Sequence, residues 1–307
     1  MADQTTPAYV WHDGKLVPWA EATVHATWLG TSGVSSVFEG IRGYWNAEQR
    51  RLYIFQLDAH LARFAQSIRL VRMALPFSRD ELRAAVCELV RANEIAHDVY
   101  IRPFAYSEAG TFGGAPNARA LVLISTMNWN SKLPTPPANR AGVSSWTRIS
   151  DNVLPPRIKA SSNYLNSRYA SEEAHRHGYE YAILLNSSGK VAEGPGACLM
   201  LIRGKKLITP SVTSGILESI TRDVMIQLAQ ERLGLEVVER EVDRTELYVA
   251  DELFFCGTGA EIAPVVSVDG LPVGTGELGP YVHQLTECYH NIVRGLDVSH
   301  PDWRTAV

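Results

Sequence analysis

Polar and apolar residues alternate in several short segments of the chain, which is the pattern of a β-strand with one buried face. The first of these, residues 9–19, alternates around Asp13-Gly14, a strong signal for a two-residue hairpin turn. Further segments of this kind are bounded by turn residues. They predict strands at residues 36–45, 51–55, 99–106, 118–127, 142–149, 181–185 and 199–203.

Other segments repeat apolar residues every three or four positions, which is typical of a helix with one buried face. Ser78 and Glu81 form a capping-box signature at the start of one of them. Asp58 is the expected cap of another, and Gly234 is expected to end a third, because glycine readily adopts the left-handed conformation there. The predicted helices span residues 58–73, a segment from Ser78, and residues 163–177, 218–233 and 278–294.

Helices and strands are mixed along the whole chain, so the expected fold class is α/β, of the mixed α+β kind. Residues 128–140 contain Pro134, Pro136 and Pro137, which neither a helix nor a central strand accommodates. A chain of 307 residues is also long enough for two domains of ordinary size. We therefore predict an N-terminal α/β domain over residues 1–127, a proline-rich linker over 128–140 and a C-terminal domain over 141–307.

The composition of the chain mainly excludes certain classes of protein. The chain is 46% hydrophobic and 20% charged, with a formal net charge of -4, so nothing favours binding to nucleic acid or to an anionic membrane. No apolar run has membrane-spanning length and the N-terminus lacks the features of a signal peptide, which predicts a cytoplasmic protein. The cysteines are too widely spaced to predict a metal site or a disulfide framework; they are Cys87, Cys198, Cys256 and Cys288.

The most informative chemical signal is Lys159, in the run Ile158-Lys159-Ala160-Ser161-Ser162-Asn163-Tyr164. A single lysine is more often a solvated surface charge. Five further segments change that interpretation, and they span residues 38–44, 60–64, 191–196, 217–223 and 256–262. A lysine beside apolar residues, followed by small polar residues and a tyrosine, can present an amine and a phenol to one aromatic aldehyde. Pyridoxal 5′-phosphate is such an aldehyde.

In this order and at these separations, the six segments resemble those of the fold type IV pyridoxal-phosphate enzymes, most closely the branched-chain amino acid aminotransferases. The resemblance extends from about Tyr9 to about Arg294. It implies a two-domain architecture with the cofactor site at the domain interface. It also implies that Lys159, in the C-terminal domain, forms the Schiff base with the cofactor and later transfers the substrate proton.

The resemblance and the chemistry of the side chains assign the other cofactor contacts. Glu193 is expected to pair with the pyridine nitrogen, and Tyr164 to hydrogen-bond the ring oxygen. The phosphate is expected at the start of the helix near residue 220, because free amides and the helix dipole favour an anion there. Its expected contacts are Ile220, Thr221, Thr258 and Arg63.

The substrate contacts are also implied by the resemblance. Tyr100 and Arg102 alternate on one predicted strand, so they share a face, and they correspond to a pair that helps to bind substrate carboxylates. Phe112 lies in a loop that reaches the partner subunit's site in this family, which implies a homodimer. The remaining contacts are Phe38, Gly40 and Trp129 for an apolar side chain, and Gly257 and Gly259 for a carboxylate.

Three positions depart from the family pattern around the substrate. Gly33 replaces a common tyrosine, Lys132 replaces a second one, and Cys198 replaces a common asparagine. These changes leave the cofactor residues in place but alter the expected substrate pocket.

By this resemblance, the enzyme moves the amino group of leucine, isoleucine or valine to 2-oxoglutarate in two half-reactions. Two alternatives keep the same fold and cofactor: a transaminase of D-amino acids or (R)-amines, and a lyase similar to aminodeoxychorismate lyase. A third alternative is a non-catalytic binding protein or a nucleotide enzyme, because glycine pairs occur at 194 and 196 and at 257 and 259. Neither pair continues into a dinucleotide-binding fingerprint.

Overall fold

The computed structural model describes residues 6–26, 34–107 and 117–307. This part of the chain divides into two compact units, each with a β-sheet of its own. The first contains the described residues up to Ser131 together with Ile158–Ser162 and Ile292–Val307, and the second contains Lys132–Arg157 and Asn163–Asn291. The mixed α/β class is confirmed. The linear domain boundaries remain a prediction, and Lys159 belongs to the first compact unit.

The sheet of the first unit is mostly antiparallel. Its strand order is β17-β5-β4-β7-β8-β1-β2, while β3 pairs with β7 and β6 pairs with β8. The strands are β1 (Tyr9–His12), β2 (Lys15–Pro18), β3 (Val37–Phe38), β4 (Ile41–Asn46), β5 (Arg51–Phe55), β6 (Met73–Ala74), β7 (Val99–Ser107), β8 (Ala118–Asn128) and β17 (Arg304–Ala306).

Local sequence signals account for much of this sheet. The hairpin of β1 and β2 is confirmed, and both of its turn residues, Asp13 and Gly14, have positive φ, at 48° and 104°. The continuous strand expected at residues 36–45 is wrong, because the chain breaks between β3 and β4 at Glu39 and Gly40. A Cβ at Gly40 would lie 1.7 Å from the Tyr100 hydroxyl oxygen, so only glycine allows this approach.

Two helices, α1 (Leu57–Leu70) and α2 (Arg79–Ala92), pack on the first sheet. The capping box of α2 is confirmed, since Ser78 accepts the Glu81 amide and the Glu81 carboxylate accepts the Ser78 amide. The expected cap at Asp58 is wrong, because Gln56 precedes the helix with a left-handed backbone and no side-chain cap. The apolar stripes of both helices are fully buried at Leu61, Phe64, Ile68, Leu82, Val86 and Leu89.

The sheet of the second unit mixes parallel and antiparallel pairs. Its strand order is β10-β9-β15-β14-β11-β12-β13, and β16 pairs with β15. The strands are β9 (Asn139–Thr147), β10 (Tyr181–Leu185), β11 (Cys198–Arg203), β12 (Lys206–Thr209), β13 (Glu236–Glu239), β14 (Glu252–Gly257), β15 (Glu261–Val268) and β16 (Leu271–Pro272). The strand expected at residues 142–149 therefore begins three residues earlier and ends two residues earlier.

Three further helices follow the predicted pattern with small shifts at their ends: α3 (Tyr164–Arg176), α4 (Ile220–Leu233) and α5 (Pro280–Val293). Ser219 caps α4 by accepting the Arg222 amide, and Gly234 ends it with a φ of 63°, as predicted. The buried Glu252 carboxylate accepts the Tyr281 and Val282 amides at the start of α5. Within the three described ranges, no helix is long and apolar enough to cross a membrane.

Candidate active site

Lys159 lies on a short segment that backbone hydrogen bonds hold against β3. The Lys159 carbonyl accepts a bond of 3.0 Å from the Phe38 N–H, and the Ser161 N–H donates to the Ser36 carbonyl at 2.9 Å. The Ser36 and Ser161 hydroxyls add a bond of 2.8 Å, and the Lys159 N–H donates to the Ser67 hydroxyl at 3.3 Å. The backbone on both sides of the lysine is therefore anchored, which fixes the point from which its side chain extends.

Two cationic side chains contact the ring of Phe38. Lys159 Nζ lies 5.1 Å from the ring centroid, and Arg102 Cζ lies 5.0 Å from the same centroid. Arg102 Cζ is also 5.4 Å from the Phe104 centroid, so the guanidinium lies near two rings. A cation is attracted to an aromatic face because the ring quadrupole is negative there. The amine and the guanidinium are thus placed around one apolar side chain.

The predicted substrate residues of the first unit lie together around Tyr100. Its ring centroid is 5.3 Å from that of Trp129, and its hydroxyl occupies the space above Gly40. Arg102 follows on the same face of β7, because side chains alternate along a strand. The structure therefore brings these residues into the neighbourhood of Phe38 and Lys159, and their binding roles remain predictions.

A buried carboxylate, Glu39, connects β3 to helix α1. Arg63 donates to it through Nε at 2.7 Å and through Nη2 at 2.8 Å, so the guanidinium contacts both carboxylate oxygens. His60 Nδ1 lies 2.7 Å from Glu39 Oε2. Because an ionised carboxylate can only accept, Nδ1 carries the proton of this bond. Arg63, the predicted phosphate cation, is therefore oriented by a fully buried carboxylate.

The charge states of this group follow from its partners. Burial alone would raise the pKa of Glu39, but the charge and hydrogen bonds of Arg63 and the bond from His60 outweigh it. They hold the pKa of Glu39 well below its usual range. Burial lowers the pKa of His60, and the charges of Arg63 and Lys159 add to that effect against the pull of Glu39. Glu39 is therefore an anion, Arg63 a cation and His60 a neutral imidazole.

In the second unit, Glu193 is held by an arginine that sequence reasoning did not identify. Arg148 Nη2 lies 2.6 Å from Glu193 Oε1, and both side chains are only 6% exposed. The Leu217 N–H donates to Glu193 Oε2 at 3.2 Å. A buried charge needs such compensation, because leaving it unpaired is costly. An arginine and a backbone amide therefore hold the Glu193 carboxylate in place.

Cys198 also contacts this carboxylate. Its Sγ lies 3.7 Å from Glu193 Oε2, where the thiol is a weak donor, and its strand partner in the sheet is Cys256. Burial, and then the negative charge of Glu193, raise the pKa of Cys198 well above its ordinary value. Burial raises the pKa of Cys256 to about 12. Both thiols therefore stay protonated at neutral pH.

Tyr164 and the two glycine-rich turns lie close together in the second unit. The Tyr164 ring is 3.9 Å from the position of a Cβ on Gly196. A Cβ on Gly257 would lie 3.3 Å from the Gly196 carbonyl oxygen, so the turn after β14 packs closely on the turn after Glu193. Tyr164 and the turn that contains Thr258 are thus both close to the loop at Gly196.

The predicted phosphate site is at the start of α4. The Ser219 hydroxyl accepts a hydrogen bond of 3.2 Å from the Arg222 N–H, and Ile220 and Thr221 begin the first turn. The Arg222 side chain is buried and donates to the Thr209 hydroxyl at 3.2 Å and to the Pro210 carbonyl at 3.0 Å. Arg222 also pairs with Glu239 at 2.6 Å, which anchors the first turn of the helix to the sheet.

Two of the predicted positions, Phe112 and Gly33, lie outside the described residues. Lys132 is described, and its backbone N–H donates to the buried Glu261 carboxylate at 2.8 Å. Across residues 6–26, 34–107 and 117–307, no group of three or more side chains is arranged to hold a metal ion.

Sequence reasoning missed the roles of Glu39, His60 and Arg148. One signal was available: Glu39 interrupts an apolar strand segment, and a charge there needs partners. His60 and Arg63 are three residues apart on a helix, so they share a face and could have been paired with it. Arg148 had no such signal, because nothing in the local sequence relates the end of β9 to Glu193.

The chain thus combines a mixed α/β fold with an anchored lysine, an arginine-bound carboxylate and a helix start suited to an anion. Residues 36–268 match the family described as amino-transferase class IV, which is more than half of the chain. The chain belongs to this family, and it is an aminotransferase.

Similar proteins match almost the full length of the chain. A probable branched-chain-amino-acid aminotransferase of Aquifex aeolicus is 41% identical, over 97% of this chain and 96% of the relative. The branched-chain amino acid aminotransferase of Thermobaculum terrenum in its PLP-form has a TM-score of 0.94 and 49% identity, covering 98% of both chains. The branched-chain aminotransferase of the archaeon Thermoproteus uzoniensis, solved with norvaline, has a TM-score of 0.91 and 39% identity, covering 98% of this chain and 99% of that one.

Proposed function

We propose that the protein is a pyridoxal-phosphate-dependent aminotransferase that moves the amino group of a branched-chain L-amino acid to 2-oxoglutarate. The names of its full-length relatives support this substrate class. The observation that carries the proposal is that Lys159 Nζ and the Arg102 guanidinium both lie about 5 Å from the centre of the Phe38 ring. A reacting amine, a carboxylate-binding cation and an apolar surface are thus combined.

The residues present fit pyridoxal phosphate. The bound cofactor would supply a ring that accepts electrons from the substrate α-carbon. Lys159 would hold the aldehyde carbon and would move a proton at Nζ between substrate and cofactor. Glu193, held in place by Arg148, would accept a hydrogen bond from the protonated pyridine nitrogen. The Tyr164 hydroxyl would hydrogen-bond the ring oxygen.

The phosphate group requires donors rather than acids or bases. The amides of Ile220 and Thr221 at the start of α4 would supply two donors, because a helix N-terminus presents N–H groups and a partial positive charge. The hydroxyls of Thr221 and Thr258 would add two more. Arg63 would supply the countercharge, with its orientation held by Glu39.

One substrate pocket has to accept an apolar side chain in one half-reaction and a carboxylate in the other. We propose that Phe38, Gly40 and Trp129 surround the leucine-like side chain, which gains by leaving water. Arg102 would bind the second carboxylate of 2-oxoglutarate. A guanidinium suits both states, because its flat face is weakly hydrated and stacks on aromatic rings. The remaining substrate donors would be Tyr100 and the amides of Gly257 and Gly259.

We further propose that the enzyme acts in the cytoplasm as a homodimer, in which Phe112 of one subunit lines the site of the other. The dimer can be tested by light scattering of the purified protein. Mixing a Lys159→Ala variant with a Phe112→Ala variant tests the shared site, because mixed dimers should regain one fully competent site.

The reaction is tested by following the visible absorption band of the bound cofactor during separate additions of L-leucine, L-glutamate, D-alanine and (R)-1-phenylethylamine. Each product is measured as the released oxo acid or ketone. We expect the band to be lost with L-leucine and L-glutamate, and to be restored by 2-oxoglutarate.

The other outcomes identify the competing functions. A response to the amine or to D-alanine alone would replace the proposal with an (R)-amine or D-amino acid transaminase. Release of pyruvate from aminodeoxychorismate without any amino acceptor would replace it with a lyase. A Lys190→Ala variant is the matched lysine control, because Lys190 is partly exposed and pairs with Asp243.

A further inference from the structure

The buried Glu39 carboxylate has a more complete set of partners than an ordinary surface ion pair. It accepts two bonds from Arg63 and one from His60, at 2.7 to 2.8 Å. The side chain of Glu39 is 0% exposed and that of Arg63 is 11% exposed. Two parallel N–H bonds to one carboxylate restrict both the position and the plane of a guanidinium. The direction of Arg63 is therefore set by Glu39.

The backbone around Glu39 is fixed as well. Its N–H donates to the Pro103 carbonyl at 2.8 Å, and the neighbouring Phe38 N–H donates to the Lys159 carbonyl at 3.0 Å. The carboxylate thus extends from a point that the sheet and the Lys159 segment both determine. If the Glu39 carboxylate changed direction, the Arg63 side chain on helix α1 would have to move with it.

His60 completes the arrangement without adding a charge. It lies one helical turn before Arg63, so both side chains face Glu39 from the same side of α1. A neutral imidazole donates one proton to the carboxylate and leaves the pair of opposite charges balanced. A second cation would be costly in so buried a position.

We propose that Glu39 and His60 are positioning residues that aim the Arg63 guanidinium at the phosphate group of the cofactor. Arg63 uses Nε and one N–H of Nη2 for Glu39, so the remaining N–H groups of the planar group point away from that carboxylate. The inference rests on the proposed function, because it takes Arg63 as a phosphate contact.

The test compares the apoenzyme's affinity for pyridoxal phosphate with its affinity for pyridoxal, which lacks the phosphate. Binding is measured by quenching of tryptophan fluorescence. We expect Glu39→Gln to raise the Kd for pyridoxal phosphate about ten-fold or more, by analogy with other residues that orient a binding group. The Kd for pyridoxal should stay nearly unchanged. The ³¹P resonance of the bound phosphate should shift in the same variant.

His60 gives a second pair of variants. His60→Asn keeps a neutral N–H near the position of Nδ1 and should bind like the wild-type protein. His60→Leu removes the donor and should shift the affinity ratio in the same direction as Glu39→Gln. These variants keep the proposal testable if Glu39→Gln does not fold.

A partly buried ion pair elsewhere in the same unit separates positioning from general stability. Asp98 accepts two bonds from Arg294, at 2.6 and 3.0 Å, so Asp98→Asn removes a similar pair. It should lower the melting temperature without changing the ratio of the two affinities. The proposal would be overturned if Glu39→Gln and His60→Leu weakened the binding of pyridoxal phosphate and of pyridoxal equally, or if they changed neither affinity.

Arg63→Gln distinguishes this inference from the function on which it rests. If Arg63→Gln changes the affinity ratio and the Glu39 and His60 variants do not, only the positioning role is wrong. If Arg63→Gln leaves the ratio unchanged, Arg63 does not contact the phosphate and both assignments fail. If the wild-type protein does not bind pyridoxal phosphate, the proposed function itself fails.

Discussion

Arg148 and Glu193 form an ion pair of 2.6 Å in which both side chains are almost completely buried. Removing one partner of such a pair leaves the other charge buried and unpaired. We expect Arg148→Met to lower the free energy of unfolding by about 3–5 kcal/mol, measured by urea denaturation. Arg157→Met is the control, because Arg157 pairs with Glu218 at 3.0 Å in an exposed position and should change stability by about 1 kcal/mol or less. Equal effects would show that burial does not govern the strength of the first pair.

Lys159→Ala should abolish multiple-turnover transamination, because no other amine is anchored beside Phe38 in the described part of the chain. The measurement is oxo acid release from L-leucine, with borohydride reduction and mass spectrometry to locate the cofactor adduct. In the wild-type protein the adduct should map to Lys159, and Lys190→Ala should behave like wild type. An adduct on another lysine, or sustained turnover by the variant, would rule out the assignment.

Arg102→Gln should raise the KM for 2-oxoglutarate and L-glutamate about ten-fold or more while changing the KM for L-leucine less. The guanidinium pairs with the second carboxylate of the dicarboxylates, and leucine has none. Steady-state kinetics with each substrate provide the comparison. Arg119→Gln is a suitable control, because Arg119 is exposed and pairs with Asp13. A uniform loss across the substrates would mean that Arg102 only supports the fold.

Stability should fall below about pH 6.5 partly through His60. Its folded pKa is lowered from 6.5 by burial, so the unfolded chain binds a proton that the folded protein resists. The contribution of His60 to stability is fully present above the pKa of the unfolded state. It is lost as the pH falls towards the lower pKa of His60 in the folded state. The melting temperature of His60→Asn should therefore decrease less between pH 8 and pH 5.5 than that of wild type. His283→Gln, an exposed control, should follow wild type.

Alkylation should discriminate among the four cysteines. Cys198 and Cys256 are buried, with their pKa values raised by that burial, so iodoacetamide should leave both unmodified in the native protein. Cys87 and Cys288 are only partly buried and should be modified first. Peptide mass spectrometry after timed quenching gives the order. Early modification of Cys198 would show that the Glu193 site opens to solvent in the native state.

Several elements could be predicted because their signals are local. Asp13-Gly14 provides the left-handed turn that a hairpin needs, and Ser78 with Glu81 satisfies the first amides of α2 within four residues of chain. Gly234 ends α4 for the same kind of reason. The failure at Asp58 is also informative, because Gln56 starts that helix with a backbone conformation that its side chain does not reveal.

The site was predictable only in part. Lys159, Tyr164 and Glu193 stood out because the short segments around them resemble a known family. The partners that orient the charged groups did not, because hydrogen bonds connect residues far apart in sequence. Arg63 pairs with a carboxylate 24 residues away, and Glu193 is held by Arg148, which follows β9.

The amino-acid sequence alone was sufficient to predict the kinds of element, the turns and caps that separate them, and the residues able to carry the chemistry. These depend on backbone conformation and on spacing over a few residues. The break of the strand at Glu39 and Gly40 and the pairing of Arg63 with Glu39 became evident from the folded structure. Glycine is required at position 40 because the Tyr100 hydroxyl lies where a Cβ would be, and the pairing of Arg63 with Glu39 depends on burial. Both features exist only when distant segments pack together.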